Sequence, residues 1–334
     1  MKLSVLDQSP ISSGQTDQQA IENTLDLAVA AEKQGYHRYW VAEHHSSNTF
    51  ASAAPEIMVG KLASITQEMR IGTGGVLLSH YSPFKVAETF RLLESFYPGR
   101  IDLGIGRAPG GGGNATMALQ MGHQYTQGDD FPQKVADLVG FIKGELTDDH
   151  PLSSIYAAPR GESMPEIWLL GSGERSAALA AHFGLGFSSA HFINEHGEGV
   201  AKAYQEQFQP SSIAPQPQTS LGVFAICADT EEEAKHLAAT RDLWRLRLGQ
   251  GIRKPFPTPQ EALAYPYTAE EKIAVDANNR RHIIGTADQV KARIDELAAA
   301  YNADEVFVVS ITHDHDARVK SYALLAEAYG LTPR

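Results

Sequence analysis

The groups in this 334-residue sequence best placed to do chemistry sit where apolar runs stop. In YWVAEHHSS, residues 39–47, an aromatic strand-like run ends on Glu43, His44 and His45. Buried strands ordinarily stop at turn residues, so a carboxylate and two imidazoles there need either a structural partner or a catalytic task. An imidazole titrates near about 6.5 and can accept and return a proton close to neutral pH. Successive strand residues face opposite ways, so one of His44 and His45 reaches a common site, and parity leaves open which.

Three glycine-rich stretches follow other strand-like runs. LLGSGERS places Ser172 and Gly173 at a strand-to-helix turn, with Ser176 in the first helical turn. Bare backbone N–H groups at a helix start favour a bound phosphate, although the same glycines would serve a tight turn alone. In GIGRAPG, Arg107 lies between Gly106 and Ala108, which leave space for its guanidinium to complete a phosphate clamp or to pair with a loop carboxylate. The run GTGG contains Gly74 and Gly75 within an apolar segment. Glycine inside a strand marks a bulge or a close backbone approach, such as a wall against a planar cofactor. Adjacent histidines cannot readily chelate one ion and HDHD, residues 313–316, has no convergent partners, so no metal site is expected. No G-x-S-x-G elbow is present, which argues against a serine nucleophile.

The elements that must position these groups alternate. β-rich runs occur at residues 3–6, 38–42, 70–77, 101–105, 166–170, 186–189, 221–227 and 305–310, with helical patterns between them. Ile21, Leu25, Ala28 and Val29 share one helical face, as do Val86, Phe90, Leu93 and Tyr97, and Val290, Ile294, Leu297 and Tyr301. Thr16 with Gln19, Thr230 with Glu233 and Thr286 with Gln289 have capping-box spacing, and Gly35 and Gly184 stand where helices end. Eight strands alternating with helices predict one (β/α)8 TIM barrel over residues 1–334, with the chemistry at the C-terminal ends of its strands. Two stretches exceed ordinary loop length there. Residues 108–165 hold a helix around 132–143. Residues 249–281 carry four prolines, which interrupt regular structure, and are expected to form a mobile lid with Phe256, Tyr265 and Tyr267 over an apolar substrate.

Composition narrows the partners. Acidic residues outnumber basic ones by 40 to 28 without a basic stripe, so nucleic acid is not an expected ligand. The single cysteine, Cys227, excludes an intrachain disulfide. MKLSVLDQSP is too short an apolar run for a secretory signal and no segment is long enough to span a bilayer, so a cytoplasmic protein is expected.

Together AEHHS, the block from IGTGGVLLSHYSPFKVAETF through GRAPG, WLLGSGERSAALAAHFGLGFSSAHF and the closing IIGTADQVKARIDELAAAYNADEVFVV resemble the bacterial luciferase-like family of flavin-dependent monooxygenases. The resemblance spans nearly the whole chain and is closest to small single-component-type members. It implies that His44 is the active-site imidazole. Gly74 and Gly75, often joined by a non-proline cis peptide in the family, would form the wall against the flavin. Gly106 would border the same surface, and Arg107, Ser172, Gly173 and Ser176 would hold the phosphate of FMN. Light-emitting members carry a cysteine where this chain has Gly106, a departure that bears on luminescence and not on flavin binding.

The implied reaction consumes reduced FMN and dioxygen, passes through a hydroperoxyflavin, and places one oxygen atom in a small organic substrate. GIGRAPG does not match a dinucleotide fingerprint, so a separate flavin reductase is the expected electron source. A homodimer through the helices after the second and third strands is also expected. Relatives of this barrel include deazaflavin-dependent hydride-transfer enzymes and noncatalytic flavin-binding proteins, which are the rival readings.

Overall fold

A strand covered on both faces needs apolar residues at successive positions, and the β-rich runs of this chain have that pattern. In the computed structural model, which describes residues 1–121 and 129–334, they form β1 (Lys2–Asp7), β2 (Arg38–Val41), β3 (Arg70–Thr73), β4 (Val76–Leu77), β5 (Ile101–Gly106), β6 (Glu166–Gly171), β7 (Gly186–Ala190), β8 (Thr219–Cys227), β9 (His282–Gly285) and β10 (Glu305–Val309). All pairings among these strands are parallel. Leu3 of β1 lies opposite Val306 of β10, and Val306 opposite Leu221 of β8, so the sheet closes into the expected (β/α)8 barrel.

Two strand readings need correction. The run at 70–77 is not continuous: β3 stops at Thr73 and β4 resumes at Val76, with a cis peptide between Gly74 and Gly75. A Cβ on Gly72 would lie 2.6 Å from the Asp102 carbonyl oxygen, and one on Gly75 would lie 2.7 Å from that of Gly104. Close approach to β5 therefore explains part of the glycine run. The other correction is β9, only four residues long, which pairs with the far half of β8 after β10 has taken the near half.

The helices are α1 (Asp17–Lys33), α2 (Pro55–Ile65), α3 (Pro83–Phe96), α4 (Gly113–Leu119), α5 (Phe131–Lys143) and α6 (Glu174–Phe183). They continue as α7 (Glu198–Gln207), α8 (Glu231–Gly249), α9 (Pro259–Ala264), α10 (Ala269–Asn279), α11 (Ala287–Tyr301) and α12 (His315–Ala328). Reciprocal capping boxes start α1 and α11, whereas at α8 only Thr230 accepts, from the Glu233 amide. The inward stripe of α1 centres on Ala20, Thr24, Leu27 and Ala31, about one position away from the expected face, with Ile21 and Leu25 packed at its edge. Residues 249–281 are not irregular, because their prolines flank helices instead of breaking them. Pro259 opens α9 behind the Thr258 cap, and Thr268 with Glu271 forms a capping box for α10. Residues 122–128 of the first insertion lie outside the described residues.

The N-terminal end of the barrel is closed by charge. Arg38 donates to Asp102 at 2.9 Å, Glu166 at 2.8 Å and Glu305 at 3.0 Å, all at strand starts. Asp102 also accepts from Trp40 Nε1 at 2.9 Å. Mutual pairing makes such burial of charge tolerable. Above it, Trp40 stacks on Phe307 at 4.0 Å and meets Trp168 edge-on at 5.5 Å. This packed layer leaves the C-terminal end as the open face.

Candidate active site

At that open face the strand ends enclose a cavity of about 390 Å³. Every residue that the family resemblance assigns to the site lines it: His44, Gly74, Gly75, Gly106, Arg107, Ser172, Gly173 and Ser176. An outer cavity of about 410 Å³ adjoins it, and the two share Gln8, His44, Gly110, Phe192 and Ile193.

Strand parity left the two histidines unassigned, and their partners now separate them. His44 lines both cavities, with its ring 4.3 Å from that of Phe50. Its Nδ1 is buried without a hydrogen-bond partner among the described residues. Burial, and then the neighbouring His45, pull its imidazole down to about 4. At neutral pH His44 is therefore an uncharged acceptor and not the half-protonated group that an unperturbed imidazole would be. His45 lines only the outer cavity, with Nε2 2.6 Å from Glu43 Oε1.

Glu43 ties this corner together. Its buried carboxylate accepts from His45, from the Tyr81 hydroxyl at 2.6 Å and from the Leu77 amide at 3.0 Å. The end of β2 is thereby fastened to β4, across the Gly74–Gly75 turn. Burial and the bond to Glu43 push the Tyr81 hydroxyl well above its ordinary range. Neither Glu43 nor Tyr81 was assigned a role from the sequence. The buried glutamate in AEHH was the available signal; its partner Tyr81, 38 positions away, gave none.

Ser172 and Gly173 turn β6 into α6. Asn194 Nδ2 donates to the Ser172 carbonyl at 2.9 Å and holds the turn. Gly173 is the N-cap and, among the described residues, no side chain caps the helix, so its first-turn N–H groups find no side-chain acceptor there. Arg107 is 43% exposed and pairs with Asp129 at 2.8 Å, and Arg175 reaches the same carboxylate oxygen at 3.9 Å. The loop-carboxylate alternative for Arg107 is thus present in this structure, at the edge of the cavity.

The outer cavity lies between residues 44–50, which follow β2, and α8 with the segment after it. Phe50, Phe224, Trp244, Val309 and Ile311 give it an apolar side. Phe256 is wholly buried, 4.8 Å from Trp244, and its amide donates to Ile11 at 2.9 Å. Tyr265 and Tyr267 pack on each other at 4.8 Å and line neither cavity, contrary to the covering role expected for them. His313 bonds Ser13 and His315 bonds Asp26, so the HDHD histidines are engaged in tertiary contacts.

The open wall, the uncapped helix start and the adjacent guanidinium fit a planar group that carries a phosphate. The family model for luciferase-like monooxygenases matches residues 1–303. The N-acetyl-S-alkylcysteine monooxygenase of Bacillus subtilis is 34% identical over 98% of each chain. The structure of apo-MsnO8 superposes with a TM-score of 0.92 at 38% identity, covering 100% of this chain and 99% of that one. The fold is also shared, at a TM-score of 0.70 and 20% identity over 98% of both chains, with the oxygenating constituent of a Pseudomonas putida 3,6-diketocamphane monooxygenase in complex with FMN.

Proposed function

Because the chain belongs to the luciferase-like monooxygenase family, we propose that it is a flavin-dependent oxygenase that uses reduced FMN and dioxygen to oxygenate a small organic substrate. The observation that carries this reading is the convergence of His44, the Gly74–Gly75 turn, Arg107 and the Ser172–Ser176 turn on one cavity. Reduced FMN would supply the activation of dioxygen.

The protein's own groups divide the remaining work. Arg107, the Ser172 and Ser176 hydroxyls and the first amides of α6 hold the phosphate. Gly74, Gly75 and Gly106 would present backbone to the flavin plane. His44 stands at the junction of the two cavities as a neutral imidazole, able to accept a proton from a reacting oxygen and return it. Glu43 and Tyr81 position β2 and His45, and act on the site through that backbone. Segment 249–281 forms part of the outer wall, and we assign it the role of a lid. A separate reductase supplies the reduced flavin, and the working unit is a homodimer through α2 and α3.

Cofactor choice tests the reading. In parallel titrations of the purified protein, FMN is expected to bind far more tightly than riboflavin, which lacks the phosphate, and more tightly than a deazaflavin cofactor. Preference for the deazaflavin would move the protein to hydride transfer, and equal binding of FMN and riboflavin would remove the phosphate site.

A further inference from the structure

Four arginines face the outer cavity: Arg241, Arg245, Arg253 and Arg281. Arg241 and Arg245 lie one turn apart on α8, Arg253 follows that helix, and Arg281 immediately precedes β9. Among the described residues none of the four has a carboxylate oxygen within 4.0 Å, whereas Arg38, Arg70, Arg107, Arg247 and Arg318 are each paired. Their polar partners are neutral. Arg241 lies 3.0 Å from His282 Nδ1 and 4.0 Å from the Phe224 ring centre. Arg281 donates to the Ile193 carbonyl at 3.1 Å and to Asn278 Oδ1 at 3.2 Å. Asp242, the acid beside Arg241 in sequence, is bonded to Asn279 at 3.0 Å and does not line the cavity.

Bringing like charges together is unfavourable unless an opposite charge joins them. Here the repulsion is visible on the groups themselves. Burial first, then Arg241, Arg281 and Arg245, depress His282 to about 2. Burial, with Arg245 and Arg281 adding to it, lowers Arg241 to about 9 against the pull of Asp242. The whole chain carries a formal charge of −12, so composition does not produce this concentration of positive charge. A bound anion would relieve it, and a guanidinium fork matches a carboxylate in two parallel hydrogen bonds.

We propose that the outer cavity takes its substrate as an organic carboxylate. Arg241 and Arg281, the half-buried pair, grip the acid group, and the exposed Arg245 and Arg253 draw the anion in. The apolar part of the substrate lies along Phe50 and Trp244, toward His44 at the junction with the inner cavity. This assignment rests on reading the inner cavity as the flavin site, because only then does the acid group lie away from the reacting end.

Calorimetric titration of the full chain with hexanoate and with hexan-1-ol tests it without any need to know the natural substrate. Hexanoate is expected to bind at least about tenfold more tightly than the alcohol, the scale of one charge-assisted contact. R281Q should abolish that preference and leave the alcohol unchanged. R245Q, at an exposed position with no ion pair to lose, should reduce the preference and rise in importance at low salt. Equal binding of the two probes by the parent protein, or an undiminished preference in both variants, overturns the proposal. FMN titrated into the same samples separates the two readings: absent FMN binding with an intact acid preference overturns the flavin site and the placement that rests on it, while intact FMN binding with no acid preference overturns the carboxylate alone.

Discussion

Arg107 and Asp129 should affect FMN binding with opposite signs. Their ion pair is 2.8 Å long and partly exposed at both ends, at 43% and 35%. Such a pair contributes roughly 0–1 kcal/mol, so diverting Arg107 toward a phosphate costs little. A charge-assisted contact to the phosphate contributes about 1.5–3 kcal/mol. The difference, about 0.5–3 kcal/mol, predicts that Arg107→Ala weakens FMN about 2- to 160-fold. A phosphate at Arg107 would stand within roughly 6 Å of Asp129, where each pair of unit negative charges repels by about 0.7 kcal/mol in a water-like dielectric. Asp129→Asn removes that repulsion and releases Arg107, so it should tighten FMN about 3- to 10-fold at low salt and less at high salt. Quenching of flavin fluorescence measures both, with riboflavin as the control that neither substitution should affect. If Asp129→Asn weakens FMN as Arg107→Ala does, or both variants bind like the parent, the phosphate does not lie at this arginine.

His44→Ala should leave FMN binding within about twofold of the parent, yet lower product formed per FMN oxidised by ~10²-fold, the remainder of the reducing power appearing as hydrogen peroxide; unchanged coupling would remove His44 from the chemistry. Because the base form of His44 persists down to about 4, turnover should hold from pH 8 to pH 5 and fall only as pH drops through the region of 4, and an acid limb centred near 6.5 would contradict this. Stability should respond earlier. His37 and His44 stay neutral in the fold down to about 3 and about 4, so below the unfolded value of 6.5 the unfolded chain takes up protons that the folded one refuses. His44 then removes about 1.4 kcal/mol per pH unit down to its folded value and the more exposed His37 less, a loss absent above pH 7; urea midpoints at pH 7 and pH 5 test it, and His37→Gln should flatten the slope. On α2 and α3, Ile57, Leu92 and Phe96 are 70%, 46% and 64% exposed, so light scattering should find a dimer that Ile57→Glu with Phe96→Glu converts to monomer; a monomeric parent protein would refute the pairing.

The barrel was legible because its strands are buried on both faces, so their apolar runs stand out without knowledge of their partners. β9 was not, since HIIG is four residues long and its sheet partner among the described residues is the far half of β8. Reading prolines as breakers hid α9 and α10, although the cap residues Thr258 and Thr268 were in plain view beside them. Parity showed that His44 and His45 diverge, but their directions depend on Glu43 and Tyr81, and Tyr81 comes from another strand connection. The spacing of Arg241 and Arg245 marks one helical face, yet their convergence with Arg253 and Arg281 depends on how three later elements fold back. Local pattern thus reached the groups that follow strands, and missed those assembled from distant segments.

The proposed reaction joins reduced FMN and dioxygen at the paired cavities to oxygenate an organic acid. The most direct test incubates the protein with enzymatically reduced FMN, ¹⁸O₂ and the small-molecule acid fraction of a cell extract, followed by mass spectrometry. At least one acid should rise in mass by a single ¹⁸O atom with the parent protein and fail to do so with His44→Ala. Complete oxidation of the flavin with hydrogen peroxide as the sole labelled product, in parent and variant alike, would contradict it.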